Sequence, residues 1–126
     1  MAITSAICNS FKQEILEAEH NFTASSGNTF NMALYDSDAV LSKSTTVYIT
    51  TEELATTGGY TAKGNALTSV TPVLDSDTAV CDFSNTSWTS ASFTARGCLI
   101  FNDSHASDAA VCAIDFGGDK TVTSGT

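Results

Sequence analysis

Two hydrophobic periods divide the chain, a helical one near the start and a period of two afterwards. From Thr4 to His20 the apolar residues Ile7, Phe11, Ile15 and Leu16 recur at helical spacing, with Lys12, Gln13, Glu14, Glu17 and Glu19 between them. That spacing predicts an amphipathic helix over residues 4–20. Ser10 with Gln13 offers a capping box for a late start, and Thr4 or Ser5 a cap for an early one. The three glutamates lie in its second half, where the helix dipole does not favour them, so packing has to hold the segment.

Beyond a polar loop, Phe30, Met32 and Leu34 alternate with Asn31, Ala33 and Tyr35, a half-buried strand that ends at the turn formers Asp36-Ser-Asp38. Thr45 to Thr50 reads as a weaker strand. Glu52-Glu53-Leu54-Ala55 could make one helical turn, but Gly58-Gly59 breaks it, and the stretch reads as loop. Ala66 to Leu74 is strand-like; Pro72 donates no hydrogen bond, so this strand sits at an edge or ends early. Asp75-Ser-Asp77 then turns the chain into Ala79 to Phe83, a hairpin partner. Within Trp88 to Asn102 the run Cys98-Leu99-Ile100-Phe101 is that of a central strand covered on both faces. Ala109 to Phe116 follows, Gly117-Gly118-Asp119 reads as a turn, and residues 120–126 open another strand. One N-terminal helix followed by six or seven closely spaced strands predicts a mainly β fold, an antiparallel β-sandwich of jelly-roll or immunoglobulin-like kind, in a single domain over 1–126 with the sandwich at 28–126.

The composition agrees with strands. Serine and threonine number 35, against a single proline, and Thr packs well on a pleated surface while both residues weaken helix interiors. At 126 residues, with 42% apolar and 15% charged positions, the chain has material for one core and not for two. The formal net charge of -9 repels phosphate backbones and anionic lipid, which argues against nucleic acid and membrane surfaces as partners. No apolar run approaches the roughly 18–20 residues of a membrane span, and the N-terminus lacks a signal-peptide pattern, so synthesis in a cytoplasm is expected.

Residues that carry chemistry are scattered. Cys8, Cys81, Cys98 and Cys112 stand singly, without CxxC spacing, and are expected as small buried thiols with no disulfide or metal role. His20 and His105 form no HxH or HExxH pair and read as surface or loop residues. No GxSxG elbow or P-loop is present. Asp36-Ser-Asp38 and Asp75-Ser-Asp77 could hold calcium, but turn chemistry explains both. The expectation is therefore no catalytic residue, no cofactor and no metal.

The chain resembles a family of small virion-associated structural proteins from bacteriophages of marine and freshwater bacteria, of cyanophage and pelagiphage type. Asn9-Ser-Phe-Lys-Gln-Glu-Ile-Leu16, His20-Asn-Phe22, Ala33-Leu-Tyr35 and Gly59-Tyr60-Thr61 carry the resemblance, with Leu67-Thr-Ser-Val-Thr-Pro72, Ala79-Val-Cys-Asp-Phe83, Thr94-Ala-Arg-Gly97 and Asp115-Phe-Gly-Gly-Asp-Lys120. It implies a noncatalytic virion structural protein, in a capsid-decoration, head-tail or tail-fibre position, working as a homo-oligomer (a trimer or larger ring) with other virion proteins. Family members continue into one more hydrophobic strand, so an open sheet edge covered by a neighbouring subunit is expected here. The residues expected at that interface are Ile7, Phe11, Ile15, Trp88 and Phe93. The alternative is a module of a phage fibre that recognises a host glycan, stacking sugars on Trp88, Tyr60 or Tyr35 with aspartates as hydroxyl acceptors.

Overall fold

The computed structural model describes residues 2–126. Among them the chain forms β1 (Ala6–Ile7), α1 (Asn9–Leu16), β2 (Phe30–Tyr35), β3 (Asn65–Ala66), β4 (Ser69–Asp75), β5 (Thr78–Phe83), β6 (Ala91–Asn102) and β7 (Ala110–Gly125). Five strands make an antiparallel sheet in the order β1-β7-β6-β2-β3, and β4 and β5 make a separate two-stranded ribbon. The fold is mainly β and antiparallel with one short N-terminal helix, as the alternation of residues along the chain requires.

The helix is shorter than the 4–20 expected from spacing alone. Ala6 and Ile7 pair with Ala113 and Cys112 of β7, so the sheet takes up the first apolar residue of the periodic stretch. Cys8 is the N-cap without a side-chain cap; its N–H donates to the Val111 carbonyl instead. Ser10 caps nothing, and its hydroxyl is buried without a partner. At the far end Ala18 takes a φ of 59°, a left-handed conformation that stops the helix.

β2 and β6 are the centre of the sheet, paired from Phe30↔Asn102 to Tyr35↔Gly97. Leu99 and Phe101 face one way with Ala33 and Tyr35, under Ile3, Ala39, Leu41, Tyr48 and Ile49. Cys98 and Ile100 face the other way with Phe30 and Leu34, under Phe22, Leu67, Tyr60, Phe83 and Trp88. Cys98 to Phe101 is thus covered on both faces, as its unbroken apolar run predicts. β2, which alternation alone presents as half-buried, is covered on both faces too. Irregular segments do most of the covering: residues 45–50 form no strand beyond a single bridge, Val47↔Ala109.

One carboxylate ties these layers together. The segment around Glu53 runs along the outer edge of β2, through the bridge Tyr35↔Glu53 and the bond from Leu54 N–H to the Leu34 carbonyl. There Glu53 accepts from Tyr48 Oη at 2.5 Å, Tyr60 Oη at 2.6 Å and Lys63 N–H at 2.7 Å. Tyr48 stacks on Phe101 over one face, at 4.7 Å between ring centroids, and Tyr60 lies with Leu34 over the other. Tyr60 Oη also accepts the Leu34 N–H at 3.0 Å. Lys63 reaches on to Asp103 and Asp108, both at 2.8 Å, which pins the β6–β7 loop to the same segment. Gly64 follows in a left-handed conformation (φ 67°), where a Cβ would lie 1.8 Å from the Met32 carbonyl oxygen; only glycine permits that approach.

Gly117-Gly118, read from sequence as a turn, lies within β7. Gly97 faces Asp115 and Ala95 faces Lys120, so Arg96 alone opposes residues 116–119 in a wide bulge with Gly117 at φ 80°. Asp115 stabilises it, accepting from Arg96 Nε and Gly117 N–H, both at 3.0 Å. β7 then continues, and residues 120–125 pair with the first half of β6.

Two outcomes follow from the Glu53 knot. Glu53→Ala removes the acceptor of three charge-assisted bonds and is expected to cost roughly 2–4 kcal/mol, measured by urea denaturation with an unchanged m-value. Burial first, then hydrogen bonds to Glu53, push the Tyr48 phenol up to about 12, and burial drives Tyr35 and Tyr60 higher still. A phenol whose folded pKa is raised contributes stability that is complete below its unfolded value near 10 and declines as pH rises above it. Phenolate absorbance at 295 nm is therefore expected to appear only with alkaline unfolding, not as a separate step near pH 10.

Candidate functional site

The residues expected at an interface separate once folded. Phe11 lies within its own chain, 4.9 Å from the His20 ring and 5.9 Å from Phe22, and packs on both halves of the core. Of the large apolar side chains of the eight-residue helix, Phe11 alone is not exposed, and it anchors the helix on the sheet. Ile7 and Ile15 stay 47% and 40% exposed. Trp88 and Phe93 are half-buried and contact each other edge to face at 6.4 Å, lining a groove of about 350 Å³ with Met32, Leu34, Phe116 and Val122. Helical spacing put Ile7, Phe11 and Ile15 on one face, to pack on their own sandwich or between subunits; in the fold Phe11 packs on its own core and Trp88 and Phe93 line a separate groove.

Sequence reasoning passed over the β4–β5 ribbon as a surface. Its register runs from Ser69↔Phe83 to Asp75↔Thr78, with a bulge between Val70 and Val73 that takes in Pro72. Pro72 is thus on an edge strand, as its missing N–H demands. Ser76, at φ 54°, closes the two-residue turn. Phe83 packs into the body, against Phe22 and Phe30 at 6.1 and 5.8 Å, and Thr71 Oγ1 accepts the Ala24 N–H at 3.0 Å. Val73 is 60% exposed and Leu74 75%, with Val70 and Val80 also open. The ribbon carries no charge from Ser69 to Leu74 or from Thr78 to Cys81, on a chain whose formal net charge is -9. The signal was present in the sequence as two uncharged runs flanking an aspartate turn.

Other expectations change with burial. Tyr35 and Tyr60 are fully enclosed, bonded to the Ile49 carbonyl and to Glu53, and offer no ring face to a sugar. Trp88 keeps part of its surface, and a groove of about 650 Å³ places it near Asp82 and Phe83. The cysteines are all free thiols. Burial pushes Cys8 and Cys112 up to about 11 and Cys98 to about 12, which keeps them protonated and unreactive at neutral pH. Cys81 departs from the expected burial and is exposed on β5, because that strand has no layer over it.

The histidines are not isolated loop residues either. His20 is buried, and its ring stacks on that of His105 at 6.0 Å. Strand pairing between distant segments produces this meeting, so no local motif could announce it. Asp36 and Asp38 form an Asx turn, Asp38 N–H donating to Asp36 Oδ1 at 2.8 Å, with the Glu52 carboxylate close to both. No described helix is long and apolar enough to cross a membrane.

No protein-family model, no curated protein and no solved structure matches the chain.

Proposed function

We propose that this chain is a noncatalytic structural subunit that works by homo-oligomeric assembly, with the β4–β5 ribbon as its joining element. The observation that carries the reading is the ribbon itself: two strands without a covering layer, with open apolar side chains at Val70, Val73, Leu74 and Val80 set among Asp75, Asp77 and Asp82. A two-stranded ribbon is at best marginal in water by itself. Its unpaired outer edges, and the open apolar side chains on its two faces, become stable when another strand or sheet is laid against them. Ile7, Ile15 and the exposed Leu16 supply a second apolar spot at the helix, which is what a ring requires: two different patches, each meeting the other on the next subunit. The virion setting, whether capsid decoration, head-tail junction or tail fibre, is proposed on the resemblance to phage structural proteins.

A second reading keeps the groove beside Trp88 as a binding site for a host glycan, favoured by the nearness of Asp82 to the half-buried indole. Tyr35 and Tyr60 drop out of that reading as stacking platforms.

Light scattering coupled to size exclusion across a concentration series tests assembly. A trimer or larger ring is expected for the unaltered chain, and Leu74→Lys, on an exposed position whose change leaves the core intact, is expected to shift it to monomer with an unaltered circular dichroism spectrum. A monomer at every concentration, or an oligomer indifferent to Leu74→Lys and Val73→Lys, contradicts assembly through the ribbon.

A further inference from the structure

The turn after α1 and the β6–β7 loop bring together two carboxylates and two imidazoles. Glu14 sits in the last turn of α1, Glu19 and His20 in the segment that follows, and His105 in the loop between Asn102 and Ala109. One ligand atom each from Glu14, Glu19 and His105 lies within 4.8 Å of the others. His105 Nε2 is 2.6 Å from Glu19 Oε2, and His20 Nε2 is 3.1 Å from Glu14 Oε1.

The hydrogen bonds behind these groups decide which can bind a metal. Asn102 Oδ1 accepts the Ser104 N–H at 3.0 Å, so its Nδ2 is the group facing His20 Nδ1 at 3.0 Å. The same Nδ2 also donates to Asn28 Oδ1 at 3.1 Å, which confirms that orientation. His20 Nδ1 is therefore an acceptor, and its proton is on Nε2, donated to Glu14. Inside the core, with its side chain fully enclosed, His20 is a positioning residue that orients a carboxylate, the arrangement found behind metal ligands. His105 is different. Its Nδ1 faces Ser107 Oγ at 2.9 Å, a hydroxyl that donates or accepts. With the proton moved from Nε2 to Nδ1 and given to Ser107 Oγ, the Nε2 lone pair is free toward Glu14 and Glu19. That shift loses the 3.2 Å bond from Ser107 N–H, an exposed group that water satisfies.

We propose that Glu14, Glu19 and His105 form a binding site for a divalent first-row transition ion of the zinc class, with His20 holding Glu14 in place. Imidazole with two carboxylates suits zinc, cobalt or manganese, while calcium prefers oxygen donors alone and soft copper(I) prefers sulfur. Bonds of about 2.0–2.2 Å around a tetrahedral ion put its ligand atoms roughly 3.3–3.6 Å apart, so the group has to close from within 4.8 Å while the 2.6 Å His105–Glu19 pair opens. Two carboxylates balance the charge of a divalent ion, and the neutral imidazole adds none. The ion takes the place of the proton between His105 and Glu19, and that proton moves to His105 Nδ1, facing Ser107 Oγ. It would clamp α1 to the β6–β7 loop and keep at least one open position facing solvent, since Glu19 lies at the surface. The site is independent of the ribbon and of the assembly reading.

The test is calorimetric titration of the metal-free full chain with Zn²⁺, carrying Cys81→Ser so that the exposed thiol does not compete. One equivalent is expected to bind, the melting temperature to rise, and His105→Asn or Glu19→Gln to weaken binding about tenfold or more. Long-range proton–nitrogen NMR of the same protein gives a readout that needs no variant: the His105 Nε2 resonance is expected to shift on Zn²⁺ addition while His20 keeps its Nε2 proton. Absence of binding, or binding with the His105 resonance unmoved, overturns the proposal.

Discussion

The fold turns on a single carboxylate at the edge of a strand. A five-stranded sheet of this size has two faces to cover, and the chain has one short helix and one loosely attached ribbon with which to do it. Irregular backbone has to cover the rest, and irregular backbone needs its polar groups paired. Glu53 does this from the rim of β2: it holds Tyr48 over one face and Tyr60 over the other, and fixes Lys63 N–H in the same bond cluster. Through Lys63 it is coupled to Asp103 and Asp108 in the loop across the sheet. Glu52, immediately before it, takes a φ of 61°, a left-handed conformation that disfavours a non-glycine residue and persists where surrounding contacts over-determine it. A neutral amide at position 53 could satisfy some of these donors; an apolar residue could satisfy none.

Much of this architecture can be read from local pattern, and what cannot has a common cause. β2 ends at Tyr35 as the Asp36-Ser-Asp38 turn requires, β5 follows its turn, and Cys98 to Phe101 declare a doubly covered strand. In each case neighbouring residues decide the outcome. The failures are places where a distant partner decides. Ala6 and Ile7 fit a helix in isolation but pair with β7. Gly117-Gly118 has the composition of a turn, yet Arg96 and Asp115 hold β7 together through it. Glu53 is one of two adjacent glutamates in a stretch whose period is ambiguous, and nothing local separates it from Glu52.

The same cause explains the surfaces. Helical spacing brought Ile7, Phe11 and Ile15 to one face, and it is the aromatic packing of Phe11 with His20 and Phe22 that removes the central one. His20 and His105 meet only because β2, β6 and the loop beyond β6 are adjacent in the sheet. The ribbon was legible as a hairpin but not as a surface, since exposure depends on there being no layer above it. The molecule has two parts: a body fastened by Glu53 with buried tyrosines and silent thiols, and an uncovered ribbon joined to it through Phe83 and the Thr71 hydroxyl.

Hydrogen exchange followed by mass spectrometry, at low and high protein concentration, tests that division directly. The account predicts slow exchange through β2, the 97–101 stretch of β6 and Lys63 at both concentrations. It predicts fast exchange through 69–83 in the dilute sample, slowing as concentration rises. A ribbon already as protected as the body in dilute solution, or one whose exchange ignores concentration, would contradict it.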